Sequence, residues 1–471
     1  MTCDLIFLSL LHWAIRMAIN SNFNISKISQ WSYAETSIAP LVVFRIIFGL
    51  MMFVGILRFW LKGWIHDFFI QPDHFFHYYG FEWVIPMGEL GMYTIFGLLL
   101  ISSLSIALGI FYKVSSILFF LLFTYVELID VTNYLNHYYF ISLVSFLMCF
   151  LPANRSFSLD IWYNREKALK SIPNCTLGIL KFQLGLVYFF SGIAKLNYDW
   201  LFDAMPMSIW LQAKTHWPVL GSLFTEKWVA YSCSWTACLF DLTVAFFLLS
   251  KRYRPIAYFV LVIFHVITGL MFPIGMFPWI MILATLIFFS SDFHERIIAL
   301  LRLIFNIKEK KSTATNFLVL NGFKRKLLSV FLFTFVLIQM LVPFRYVLYP
   351  GDLFWTEQGY RFSWRVMLIE KAGTAFFYVT DPETGNRGEV NNCDFLTPNQ
   401  EKMMATQPDL ILQYAHIIQK EVESRGLKDP IINAEVYVTL NGSRSKLFID
   451  PEVDLTTLQD DYKPKDWILD N

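Results

Sequence analysis

Nine apolar runs, at about 37–58, 91–111, 114–130, 138–153, 176–194, 228–250, 255–272, 275–291 and 327–347, occupy most of the first three quarters of the chain. A helix that crosses a bilayer needs about 20 mainly apolar residues, and these runs reach or approach that length. The stretch 255–291 is too long for one crossing, and "PIGMFP" within it carries two prolines and a glycine, so the chain breaks there. Beyond 347 the pattern changes. "TAFFYVTDPETGNRGEV" and "AEVYVTLNGSRSKLFID" each read as strand, turn, strand, and "QEKMMATQPDLILQYAHIIQKEVESRG" between them has helical spacing with a glycine stop at Gly426. The pattern predicts a polytopic α-helical membrane protein with about eight or nine transmembrane helices and a C-terminal extracytoplasmic α+β, β-rich domain. Its expected divisions are an N-terminal segment over 1–36, a membrane domain over 37–347 and the outer domain over 348–471.

Composition agrees with a bilayer setting: of 471 residues 56% are hydrophobic and 18% aromatic. A net charge of +1 calls for no nucleic acid and no acidic partner. The six cysteines show no metal-ligand spacing, so no metal site is read from them. "MTCDLIFLSLLHWAIRMAIN" has Asp4 and no basic start, which suits an interfacial helix better than a cleaved signal peptide. Lys and Arg settle orientation: with the N-terminus in the cytoplasm, the inside segments hold 18 and the short outside loops 4. The tail then faces a lumen or periplasm.

Ionisable residues within spans are costly and need a reason. Asp241 in "CLFDLTVAFF" and His265 in "VIFHVITG" lie well inside their runs, and Glu127 and Asp130 towards the outer end of the third. Hydrogen bonding between helices is the simplest reason. Lys195 ends the run "YFFSGIA" and can snorkel to the headgroups. Ser191 and Gly192 stand four and three positions earlier on its face and admit another helix or a flat ligand, so the amine can instead be held dry and act as a general base. The topology brings "NYLNHYY", Lys195 and "FPIGMFP" to the outer face, where a site would have an apolar floor, an amine, an imidazole and an aqueous roof. The residues themselves suggest a lipophilic ligand and name no reaction.

In order and spacing, "NYLNHYYF", "YFFSGIAKLNYDW", "FDLTVAFFLLS", "FHVITGLMFPIGMF", "GYRFSWRVM" and "FIDPEVDL" resemble the motifs of the vitamin K-dependent gamma-glutamyl carboxylase family, from about residue 37 to about 457. That family is part of a broader set with a horizontally transferred transmembrane domain, and a bacterial member is expected. The resemblance implies that vitamin K hydroquinone is oxygenated with O2 to the epoxide, and that the base so generated removes a γ-proton from a peptide glutamate, which then adds CO2. No side-chain base can take that proton, so a cofactor must be oxidised to supply the basicity.

By the same resemblance Lys195 matches the lysine that deprotonates the hydroquinone, with Ala194 where vertebrate members have a first lysine. Asn136 and His137 match the pair that orients the quinone oxygens. Tyr134, His265, Met276, Phe277, Trp364 and Met367 are expected to line the cofactor pocket. Lys214, near where the family has Arg-His-Trp, and Arg365 are expected at the substrate carboxylate. After "SW" the vertebrate Asp-Met-Met-Val-His is replaced by Arg365, Val366, Met367, Leu368 and Ile369, which touches the peptide side more than the quinone chemistry. Implied partners are a Glu-containing peptide or protein, the lipid bilayer and a quinone reductase for recycling; no metal is implied. Two alternatives stay open: a hydroquinone epoxidase without glutamate carboxylation, and a non-catalytic lipid- or quinone-binding protein.

Overall fold

The computed structural model describes residues 25–471 except 165–166, 308–316 and 319. Most of the N-terminal interfacial helix expected over 1–36 lies outside the described residues, of which Ile25–Tyr33 is helical. Seven helices among the described residues are long and apolar enough to cross a membrane. They are α1 (Ala39–Leu61), α2 (Gly88–Leu108), α3 (Tyr112–Ile129), α5 (Cys175–Ala194), α6 (Lys227–Leu249), α7 (Arg254–Met271) and α10 (Gly322–Leu341), the last running on as a 3-10 turn to Leu348. The fourth and eighth apolar runs form shorter helices, α4 (Asn136–Phe150) and α8 (Phe277–Ala284, continued as 3-10 to Phe288). With 15 residues α4 rises only about 22 Å, short of a hydrocarbon core of about 30 Å. The first turn of α4 carries Asn136 and His137, and that of α8 carries Phe277.

The break expected at "PIGMFP" is found: α7 stops at Met271, Gly275 takes a positive φ, and α8 starts with Pro278 in its first turn. After Phe288 the chain bends by 114° into α9 (Ser291–Ile304). A short antiparallel pair, β1 (Glu35–Ser37) and β2 (Ser171–Pro173), ties the start of α1 to that of α5.

The outer domain is a four-stranded antiparallel sheet in the order β4 (Arg387–Val390), β3 (Lys371–Thr380), β5 (Ile431–Leu440), β6 (Lys446–Leu447). Alternate residues of β5, from Ile432 to Leu440, are buried, as a half-buried strand requires. The single helix suggested by the sequence is two, α11 (Pro398–Met404) and α12 (Pro408–Ser424), because Pro408 cannot continue the helix before it. Gly426 ends α12 at φ +101°, with the Leu427 amide donating back to the Val422 carbonyl. Polar contacts seat the domain on the loops that follow α1, α3 and α5. Gln400 Nε2 donates to the His74 carbonyl and to Asp130 Oδ2, and Asn441 Nδ2 to Asp199 Oδ2 at 2.7 Å.

Candidate active site

The seam between α5 and α6 sets the deepest chemistry. A Cβ on Gly192 would lie 2.7 Å from the backbone nitrogen of Leu242, so the two helices touch backbone to backbone. That approach brings Asp241 against the last turn of α5. Lys195 Nζ donates to Asp241 Oδ2 at 2.9 Å, to Ser191 Oγ at 2.8 Å and to the Ser191 carbonyl at 3.3 Å, while Ser191 Oγ donates to the same Asp241 oxygen at 2.8 Å. Lys195 and Asp241 are each 5% exposed. The lysine therefore turns into the protein and carries a carboxylate with it. Trp200 closes the outer side: its amide is capped by Asn197, its indole donates to the Ser234 carbonyl, and its ring lies 5.3 Å from Nζ.

Two cavities meet at this level. The inner one, about 310 Å³, has Lys195, Ser191, Asp241, Tyr188 and His265 on a mostly apolar wall that includes Trp200, Trp210 and Phe264. His265 Nε2 is bonded to the Tyr188 hydroxyl at 2.7 Å, and its Nδ1 is buried without a partner among the described residues. The outer cavity, about 530 Å³, holds Asn136, His137, Arg58 and Glu127 and is roofed by Asn399 and Met403 of the outer domain. Ile274, Phe277, Val366 and Met367 line both and form the partition. The Phe277 ring stands 5.7 Å from that of His137 and 6.1 Å from that of His265.

Residues 33–293 match the family model of the HTTM domain, and residues 324–471 that of the vitamin K-dependent gamma-carboxylase, lumenal domain. The chain belongs to the vitamin K-dependent gamma-carboxylase family. No solved structure matches it. Membership supports a vitamin K-dependent carboxylase-like function in an integral membrane protein with a lumenal C-terminal domain, and implies vitamin K hydroquinone and a Glu-containing substrate.

Within this carboxylase-family frame, the residues singled out from sequence fall into three places. Lys195 and His265 face the inner cavity; Tyr134, Asn136, His137 and Met276 face the outer; Phe277 and Met367 stand between them. Asn136 is held on both sides, its Oδ1 accepting from the Tyr134 hydroxyl at 3.1 Å and its Nδ2 donating to the Arg365 carbonyl at 3.0 Å. The His137 ring has no hydrogen bond to the described residues and is open to a ligand.

Trp364, Arg365 and Lys214 line neither cavity. Phe362, Trp364 and Met367 all have positive φ, an arrangement that turns neighbouring side chains in different directions and is costly for residues other than glycine. Trp364 is sent inward to stack on Tyr139 at 4.8 Å, and the Arg365 guanidinium lies over Tyr346 at 4.6 Å. Met367 alone of these three is delivered to the partition. Sequence reasoning did not assign Asp241, Ser191, Tyr188, Arg58 or Glu127 to the site. Opposite charges within adjacent spans were the available signal for Lys195 with Asp241, whereas Arg58 in "ILRFW" reads like any cation at a helix end.

Proposed function

We propose that this protein is a vitamin K-dependent gamma-glutamyl carboxylase, coupling oxygenation of the hydroquinone in the inner cavity to carboxylation of a peptide glutamate presented in the outer one. The observation that carries this reading is the buried Lys195–Ser191–Asp241 group on the polar edge of a small, mostly apolar cavity. A flat ring with two oxygen substituents fits such a cavity: apolar walls take the ring faces, and the buried, unpartnered His265 Nδ1 is available to an oxygen. When bound, the hydroquinone supplies through its oxidation a base stronger than any side chain.

The protein's part is positioning, proton handling and exclusion of water. Lys195 Nζ, an ammonium in its pair with Asp241, can take a proton within the cavity once its own proton has passed to Asp241 Oδ2, which is bonded to it directly and through Ser191 Oγ. Asn136, fixed by Tyr134 and the 365 carbonyl, and His137, unbonded, act from the other side of Phe277. Trp200, Phe264, Phe277 and Met367 keep the inner cavity dry, so that basicity generated there is not lost to water. Ser232, Thr236 and Ile267 line the inner cavity yet face outward from α6 and α7, which offers an apolar side chain of the quinone a way in from lipid. In this reading the N-terminus is cytoplasmic, a Glu-containing protein arrives from the lumenal side, O2 and CO2 are co-substrates, and a separate reductase regenerates the hydroquinone.

The test is to incubate the purified protein with vitamin K hydroquinone, labelled bicarbonate and a short Glu peptide, and to measure epoxide and fixed carbon together. Both products are expected. Epoxide without fixed carbon moves the assignment to an uncoupled epoxidase, and neither product leaves a lipid- or quinone-binding protein.

A further inference from the structure

The outer cavity contains a cation, Arg58, that pairs with no carboxylate among the described residues. Arg58 lies on the last turn of α1, half buried, and lines the cavity beside Trp64, Asn133 and Asn136. Its guanidinium rests on the Trp64 ring at 4.9 Å, with Lys62 Nζ 5.0 Å from the same ring, and it has no hydrogen bond or carboxylate partner among the described residues. Other enclosed cations find partners within the protein: Lys195 pairs with Asp241, Arg361 with Asp409 and Lys371 with Glu357, while Arg45 donates to the Ala153 and Phe157 carbonyls and Arg365 lies over the Tyr346 ring.

On the α3 wall of the same cavity stands Glu127. One carboxylate oxygen accepts from Ser142, and the other, Oε1, is buried without a partner among the described residues. A cation and an acceptor that face one space without bonding each other suit a ligand carrying an anion and an N–H donor. A planar guanidinium prefers a carboxylate, which it can bind through two parallel hydrogen bonds. A glutamyl residue in a polypeptide has both parts, a side-chain carboxylate and a backbone amide.

We propose that Arg58 binds the carboxylate of the acidic side chain that enters the outer cavity, and that Glu127 Oε1 accepts an amide N–H of the same peptide. The identity of the ligand as a glutamyl peptide rests on the carboxylase reading; the need of Arg58 for an anion does not. Neither Lys214 nor Arg365 can take this part, since neither reaches the cavity.

The test is binding, without quinone and without turnover. Fluorescently labelled peptides of one sequence carrying Glu or Gln are titrated by anisotropy against the full-length protein in nanodiscs, as wild type, Arg58→Gln and Arg58→Lys. Wild type should prefer the Glu peptide by about 10-fold or more, as a charge-assisted bond to a partly enclosed carboxylate would give. Arg58→Gln should abolish the preference while binding the Gln peptide as before, and Arg58→Lys should keep part of it. The unchanged Gln-peptide affinity is the check that the variant is folded. Glu127→Gln should weaken both peptides by a similar factor, since its partner is backbone. A preference for Glu that survives in Arg58→Gln overturns the proposal, and so does a wild type that binds both peptides equally or neither. The carboxylase reading fails separately: a wild type that selects Glu through Arg58 but forms neither epoxide nor fixed carbon keeps the site and loses the reaction.

Discussion

The two cavities on either side of Phe277 are built on opposite plans. In the inner one the charges are spent within the protein, with Lys195 and Asp241 paired and the remaining walls mostly apolar. In the outer one Arg58 is unpaired, His137 is unbonded, and the roof is a separate domain carrying Asn399 and Met403. A paired, dry chamber suits a step that water would quench, and a chamber with free polar groups under a roof from the lumenal domain suits a polypeptide arriving from that side. One partition of four side chains lets the protein keep both next to each other.

The strongest way to break this contrast is to remove the inner charges. Lys195→Ala should lower epoxide formation by at least about 100-fold, the usual scale of a lost general base. Asp241→Leu alone should destabilise the protein by about 3–5 kcal/mol, since it strands a buried ammonium. The double variant Lys195→Met with Asp241→Leu should recover most of that stability and none of the activity. Thermal unfolding in nanodiscs beside the epoxide assay reads both, and an active double variant would remove the pair from the chemistry.

Opening the partition is the next test. Phe277→Ala joins the two spaces and should admit water to the inner one, so the ratio of fixed carbon to epoxide should fall by about 10-fold, with a stability loss of about 2–3 kcal/mol for the truncated ring. An unchanged ratio would mean that the two steps do not depend on separate chambers.

The partition is also held from above. Arg361, immediately before the strained 362–367 segment, bonds to both Asp409 oxygens and to Gln407 at the ends of α11 and α12. Burial by itself would raise the Asp409 carboxyl, but the Arg361 guanidinium outweighs it and holds the group below the ordinary carboxylate range. A carboxyl depressed by folding stabilises fully above its unfolded-chain value of about 3.9 and ceases to do so as pH falls through the lower folded value. Asp409→Asn should therefore cost about 2 kcal/mol at neutral pH, somewhat below the loss for a fully buried pair. The gap between the unfolding temperatures of wild type and variant should be constant from about pH 7 to pH 5 and close below about pH 4. A gap that widens with acid would reverse the sign assigned to Asp409.

The membrane fold was legible because apolar run length maps directly onto spanning helices, and the break at "PIGMFP" because proline and glycine act locally. Lys195 was legible as an anomaly, yet its partnership with Asp241 was not, since it depends on how α5 and α6 are rotated and how closely Gly192 lets them approach. The "SWRVM" segment misled for a similar reason. Trp364 and Met367 both looked like pocket wall, but with positive φ at both residues the tryptophan goes to Tyr139, while the methionine, with Val366, reaches the cavities. Arg58 was hidden because its meaning lies in the absence of a partner, which no spacing records.

The smallest expected effect concerns the way into the inner cavity. Thr236 faces outward on α6 and lines that cavity with Ile267 across from it on α7. Thr236→Leu narrows this gap with apolar bulk and touches neither Lys195 nor Asp241. If a prenylated quinone enters here from lipid, the variant should raise its KM by about 3-fold, less than the roughly 10-fold that a methylene is worth in a closed pocket because the passage opens to lipid, and leave kcat intact. A hydroquinone with no side chain can take another route and should keep its KM. The informative quantity is the ratio of the two KM values, because a general disturbance of α6 would move both. An equal rise for both substrates would close the α6–α7 route and return entry to the outer cavity, which would leave Phe277 as a gate as well as a wall.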